Sequence, residues 1–205
     1  MQKLILLLVS MLLLSCNKSG MQTTNEAAPQ QFTATFETTK GKFDIEVTKK
    51  LSPKAADRLY NLVKSGYYNN TVFYRVVPNF VAQFGAVDTV KVNRWKSIKV
   101  PHEKVLGSNT TGTITFARLG RESRGFDIFI NLRDNTTLDT LTFEGVKGYP
   151  AFGKVTKGLD VVEKLYSGYG EKTMEDGNLF TNRERLLRTF PMLDKIVGAY
   201  ITSEE

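Results

Sequence analysis

Phe32, Ala34 and Phe36 alternate with mostly polar residues, and so do Phe43, Ile45 and Val47, with Thr39-Lys40-Gly41-Lys42 between the two runs. A period of two puts every second side chain on one face of a strand, so this stretch predicts a β-hairpin over Phe32–Thr48. The pattern then changes. Ala55, Leu59, Leu62 and Val63 recur at helical spacing behind Ser52-Pro53, and Gly66 follows. Proline suits a first helical position because the N–H it lacks has no partner there, and serine is a favoured N-cap. The spacing predicts a helix opened by Ser52-Pro53 and ended by Gly66. A second hairpin comes next: Phe73-Tyr74-Arg75-Val76-Val77, a turn at Pro78-Asn79, then Phe80-Val81-Ala82-Gln83-Phe84-Gly85. This run is apolar apart from Arg75, Gln83 and the turn asparagine. A lone arginine among large apolar residues is costly unless it has a partner or a task.

Residues 86–111 mix Trp95, Pro101 and His102 with many polar positions and predict a long loop with one short strand near Ser97–Val100. Strands resume at Thr113–Ala117, Asp127–Leu132 and Ala151–Val155. Leu159–Tyr166 reads as a helix behind Gly158, Arg183–Arg188 as a short, solvated basic helix after Thr181, and Ile196–Ile201 as a final strand. Many strands with two or three helices imply a closed barrel or a sandwich with capping helices, and the pattern does not choose between them.

The start of the chain is different in kind. Leu4–Leu14 is an eleven-residue apolar run broken by Ser10. It is too short to span a bilayer and fits a signal-peptide core. It ends in Leu13-Leu14-Ser15-Cys16, which resembles the bacterial lipobox. The implied chemistry is a thioether-linked diacylglycerol on Cys16, cleavage before it and acylation of the new amine; several acyl chains give firm anchoring. The one cysteine of the chain sits at that position, so no internal disulfide is possible. Asn17 follows it, which leans toward the outer membrane. Asn17 to about Gln31 is too polar to order itself and reads as a flexible tether. The expected organisation is a lipoprotein signal peptide over 1–15, a lipidated tether over 16–31 and one folded domain over 32–205. A domain of that size can bury a substantial core.

Net charge is +7 over 205 residues, with an isoelectric point near 9.4. The basic residues are scattered rather than blocked, which argues against nucleic acid and fits loose attraction to anionic envelope surfaces. The single histidine, His102, has no neighbouring ligand set and reads as a solvated loop residue, so no metal is expected.

Several pieces together resemble the cyclophilins, in the family's order, over roughly residues 32–167. Phe36-Glu37-Thr38-Thr39-Lys40-Gly41 resembles the opening strand and turn, and Ser52-Pro53-Lys54-Ala55-Ala56 the start of the first helix. Tyr67-Tyr68-Asn69-Asn70-Thr71-Val72-Phe73 resembles the run before the family signature. Arg75, Phe80 and Gln83 fall on the signature's arginine, aromatic and glutamine. Gly112-Thr113-Ile114-Thr115-Phe116-Ala117-Arg118, Phe126-Asp127-Ile128-Phe129-Ile130, Asn135-Thr136-Thr137-Leu138-Asp139 and Tyr149-Pro150-Ala151-Phe152-Gly153-Lys154-Val155 resemble its later motifs.

The resemblance implies a mainly β fold: a closed eight-stranded antiparallel barrel with a helix over each end, and the site on its outer face. It implies a peptidyl-prolyl cis-trans isomerase acting on proline-containing peptides and unfolded or partly folded proteins, as a monomer without a cofactor. Arg75 would be catalytic. Phe80, Val81, Gln83, Ala117, Arg118, Asp127, Phe129, Leu138 and Tyr149 would line the substrate groove. Residues 167–205 form an extension, part of which resembles one in some bacterial members that returns to the barrel as a strand. Four positions depart from the family. Asp127 stands in place of glutamine and is expected to pair with Arg75 and partly quench it. Arg118 replaces asparagine and is expected to favour acidic peptides. Thr137 replaces a larger aromatic, so tight cyclosporin binding is not expected. Tyr149 replaces a histidine, as it does in many bacterial members. The alternative function is a catalytically weak peptide-binding envelope lipoprotein on the same scaffold.

Overall fold

A computed structural model describes residues 25–85, 89–118, 120–177 and 181–205. The expected signal segment and Cys16 lie outside these residues. Ten strands and four α-helices are described: β1 (Gln31–Thr38), β2 (Gly41–Thr48), α1 (Pro53–Lys64), β3 (Thr71–Val77), β4 (Val81–Gly85), α2 (Thr89–Trp95), β5 (Thr113–Phe116), β6 (Ile128–Asn131), β7 (Thr142–Phe143), β8 (Val146–Lys147), β9 (Gly153–Lys157), α3 (Leu159–Glu163), α4 (Arg183–Thr189) and β10 (Lys195–Glu204).

Eight strands close a barrel in the order β1-β10-β3-β4-β6-β5-β9-β2, with every pairing antiparallel. Closure leaves the barrel sheet without an edge strand, and β7 and β8 form a separate two-stranded hairpin. The alternation read in the first hairpin is the inside-outside alternation of β1 and β2: Phe36 and Phe43 are opposite one another and stack at 5.2 Å inside the barrel. Tyr68, Phe73 and Phe84 join them in one aromatic core. The helix α1 covers the end where β1 begins, and Tyr60 meets Phe32 edge-on at 5.3 Å. The helix α3 covers the opposite end, beside the β1–β2 turn. Gly158, at φ +76°, lies so close to Lys42 and Phe43 that a Cβ there would sit 2.3 Å from the Lys42 carbonyl oxygen.

Several sequence expectations need correcting. The segment 86–111 contains α2, which the pattern missed because Thr, Val and Asn are weak helix formers. Its Trp95 is buried, with the Arg58 guanidinium 5.2 Å from the ring centroid. In place of the strand expected at Ser97–Val100 there are only isolated bridges from Val100. Ser52 precedes the helix, but its side chain makes no capping bond. Glu103 from the long loop takes that role: it accepts from the Lys54 and Ala55 amides at 2.9 and 3.3 Å and from the Ser52 hydroxyl at 2.5 Å. The fully buried Arg124 side chain closes the arrangement, 2.9 Å from Glu103. Residues 26–31, expected within a flexible tether, pack on the domain. The Glu26 and Ala28 amides donate to Asn61 and Asp57 on α1 at 3.0 and 2.8 Å, and Ala28 is buried in the core. His102 is half-buried, with Nδ1 enclosed and without a hydrogen-bond partner among the described residues. Burial and the nearby Arg124 and Arg118 push its pKa down.

Candidate active site

A strictly alternating strand would point Arg75 the same way as Phe73, into the barrel. The register of β3 against β4 slips between these two residues: Phe73 faces Phe84, Arg75 faces Gln83 and Val76 faces Ala82. This bulge leaves Phe73 and Val76 in the core and turns both Tyr74 and Arg75 outward. Gln83 in turn faces Phe129 on β6, and Phe129 faces Thr115 on β5. Arg75, Gln83 and Phe129 therefore lie in one cross-strand row on the outer face of the barrel.

A chain of hydrogen bonds orders this row. Arg75 Nη1 donates to Gln83 Oε1 at 3.0 Å. Gln83 Nε2 donates to the Tyr74 hydroxyl at 2.6 Å, and that hydroxyl donates to Asp127 Oδ1 at 3.1 Å. The phenol thus fixes which end of the Gln83 amide faces the guanidinium. A second partner comes from far along the chain. Glu171 Oε2 accepts from Arg75 Nε at 2.8 Å, and Oε1 accepts from Nη2 at 2.7 Å. The hydrogen bonds from Arg75 hold the Glu171 carboxyl below the usual carboxylate range. An arginine side chain carries about 2 kcal/mol of rotamer entropy, and here Glu171 ties one edge of the guanidinium while Gln83 holds a third N–H. The Arg75 guanidinium carbon also lies 5.3 Å from the Phe80 ring centroid.

Beside Arg75 is an apolar cluster separate from the barrel core. Val81, Phe129 and Leu138 are its buried members, and Phe80, Ala117 and Tyr149 pack against them, partly exposed. Phe129 and Tyr149 meet edge-on at 6.0 Å. Buried amides behind the cluster hold its backbone in place. Asn135 Nδ2 donates to the Phe80 carbonyl at 2.9 Å and to Asn131 Oδ1 at 2.8 Å; Asn131 Nδ2 reaches Asn109 Oδ1 at 3.1 Å; and Asn109 Nδ2 donates to the Tyr149 carbonyl at 2.8 Å. Leu138 sits on the short 3-10 turn Thr136–Asp139 that Asn135 opens, and Thr137 on the same turn is exposed.

Two of the expected groove residues make contacts that their sequence positions did not suggest. Arg118 is buried, and its guanidinium donates to the carbonyls of Phe143, Val146 and Gly148 at 2.9, 2.8 and 3.0 Å. It lies 4.2 Å from the Tyr149 ring centroid. It ties the β7–β8 hairpin to the groove wall, with the guanidinium turned onto backbone carbonyls. Asp127 is not paired with Arg75. It bonds Tyr74 and lies over Gly85, where a Cβ would meet its Oδ1 at 1.8 Å. Burial pushes its pKa up to about 7. The carboxylate on Arg75 is Glu171.

Pattern reading missed Glu171, Tyr74 and the asparagine network. Ninety-six positions separate Arg75 from Glu171, and only the closed barrel brings the C-terminal extension against β3.

Comparisons with known proteins point to one family. The family model described as cyclophilin type peptidyl-prolyl cis-trans isomerase matches residues 33–183. A peptidyl-prolyl cis-trans isomerase of Acinetobacter baylyi is 36% identical over 132 residues, covering 63% of this chain and 69% of its own. Peptidyl-prolyl cis-trans isomerase B of Escherichia coli is 29% identical over 176 residues, covering 83% of this chain and 99% of its own. Among solved structures, a Cryptosporidium parvum cyclophilin shares the fold with a TM-score of 0.62 at 20% identity, over 85% of this chain and 99% of its own. A barrel of this topology, with an arginine beside an outer apolar pocket, matched by the family model over most of its length, places the chain among the cyclophilin-type peptidyl-prolyl cis-trans isomerases.

Proposed function

We propose that Arg75 accelerates rotation about X–Pro bonds by donating a hydrogen bond to the prolyl nitrogen while the Phe80, Val81, Ala117, Phe129, Leu138 and Tyr149 cluster receives the proline ring. Amide resonance sets a barrier of roughly 18–20 kcal/mol, and uncatalysed X–Pro exchange takes tens to hundreds of seconds. The nitrogen lone pair becomes an acceptor only when the bond twists and resonance is lost. A fixed cationic donor therefore stabilises the twisted state more than either planar one. No nucleophile or proton transfer is required. The apolar wall excludes water and strengthens the bond. Gln83, oriented by Tyr74, holds Arg75 and substrate backbone. The carrying observation is the guanidinium at the rim of the apolar cluster, bonded to Gln83 and 5.3 Å from the Phe80 ring.

The substrates in this reading are unfolded or partly folded proteins outside the cytoplasm, met by a monomer anchored through lipid on Cys16. The support is the Leu13-Leu14-Ser15-Cys16 sequence behind an apolar run, and the outer membrane is favoured by Asn17. An isomerisation assay on a proline peptide tests the catalytic part. Arg75→Ala should lose about 100-fold in kcat/KM, or about 2.7 kcal/mol of transition-state stabilisation; wild-type rates in the variant would refute it.

A further inference from the structure

Glu171 stands on a platform built for it. The chain turns at Ser167–Gly170, with Gly170 at φ +52°, a left-handed conformation that suits glycine. On one side of Glu171, Tyr169 meets Tyr166 and Phe190 edge-on, each at 4.9 Å, and its hydroxyl accepts from the Met192 amide at 3.3 Å. On the other side, the buried hydroxyl of Thr173 donates to the Tyr74 carbonyl, one residue from Arg75. Leu186 and Leu193 pack on the outward faces of Val72 and Tyr74 and fasten the extension to β3. Both ends of the segment are thus anchored to the strand that carries Arg75.

The guanidinium has five N–H groups. Glu171 takes those on Nε and one on Nη2, and Gln83 takes one on Nη1. Among the described residues, nothing takes the remaining N–H on each of Nη1 and Nη2, which are left to donate. We propose that Glu171 is a positioning residue for the isomerisation, supplied by the C-terminal extension, which fixes the plane and reach of Arg75 before substrate arrives. This rests on the reading of Arg75 as the catalytic cation.

The same carboxylate would instead quench Arg75 if their pair had to break, or if its charge dominated at the prolyl nitrogen. Neither condition holds. Donors remain with the pair intact, and the Glu171 side chain is 59% exposed, so water screens its charge. Without Glu171, Arg75 keeps, among the described residues, one side-chain hydrogen bond, to Gln83, and the contact with Phe80. The guanidinium would then have to be ordered in the transition state itself.

The test measures kcat, KM and Tm for the full chain on a proline peptide, with Glu171→Ala, Glu171→Gln and Thr173→Val, and Glu171→Ala repeated on Arg75→Ala. Glu171→Ala should lower kcat about tenfold, equivalent to about 1.4 kcal/mol, with KM and Tm near wild type. Glu171→Gln should recover part of the loss, because its amide oxygen still accepts from Arg75. On Arg75→Ala the same change should have no further effect. Unchanged or raised kcat in Glu171→Ala overturns the proposal, and a rise identifies quenching. An equal loss on the Arg75→Ala background also overturns it. If Glu171→Ala does not fold, Thr173→Val decides: lower kcat with the fold retained supports positioning, and unchanged kcat refutes it. Full activity in Arg75→Ala defeats the catalytic reading itself, which is a separate outcome.

Discussion

The Tyr74 hydroxyl donates to Asp127 at 3.1 Å, one link removed from the glutamine that holds Arg75. This bond ties Asp127 to the hydrogen-bond chain of Arg75 without a bond to the guanidinium itself. Its carboxylate answers to burial, not to the guanidinium.

A pH-dependent stability follows. In the unfolded chain Asp127 titrates near 3.8, and in the folded protein burial raises it to about 7. The folded state therefore holds this proton more tightly, and the stability it contributes is complete below about pH 4 and lost as pH rises through 7. Asp127→Asn should be as stable as wild type near pH 4 and more stable at pH 8, because the amide oxygen still accepts from Tyr74 and never ionises. Thermal melts across that range check it. A Tm difference that does not change with pH would show that Asp127 is not titrating against the fold.

Arg118 gives a different expectation from the one its sequence position suggested. Three carbonyls share its guanidinium, and bonds to a charged donor contribute about 1.5–3 kcal/mol each. Arg118→Ala should destabilise the protein by roughly 2 kcal/mol or more, lowering Tm by about 4–8 °C. Arg118→Lys should not restore it, because a single ammonium lacks the planar fork. Preference between acidic and neutral residues beside the proline, measured on a small peptide panel, should stay the same in any folded Arg118 variant. Lost preference for acidic peptides would return Arg118 to the groove.

The ease of reading the sequence varied with the range of the interaction concerned. The first hairpin and α1 were legible because inside-outside alternation, helical spacing and a leading proline are local signals. Strand boundaries shifted by up to three residues: β9, expected from Ala151, begins at Gly153, and β10, expected to end at Ile201, runs to Glu204. Arg75 stood out as a cation in an apolar run, yet its outward orientation depends on a bulge that strict alternation does not encode. Phe80, Val81, Phe129 and Leu138 were expected together through the family resemblance, and they do share one cluster. Glu171 was invisible because nothing near it in sequence marks it. The carbonyls around Arg118 and the Tyr74 partner of Asp127 were not legible, because residue type states a charge but not what surrounds it.

The reading of the N-terminus makes a separate prediction. Cys16→Ser should release the protein from membranes and abolish incorporation of labelled fatty acid. Fractionation of cells expressing each form checks it. Labelled acyl groups on the serine variant, or its full retention in the membrane fraction, would contradict lipidation at Cys16.

The central claim is that Arg75 acts on the twisted bond and not on binding alone. Equilibrium NMR exchange on a short X–Pro peptide separates the two, because it reports cis-trans interconversion and peptide binding in one sample. With wild-type protein at catalytic concentration, exchange between the cis and trans resonances should be fast. Arg75→Ala at saturating peptide should slow the exchange by about 100-fold, while peptide resonances still shift and saturate through the Phe129 and Leu138 pocket. Wild-type exchange in the variant, or a rate loss explained wholly by lost binding, would contradict the account.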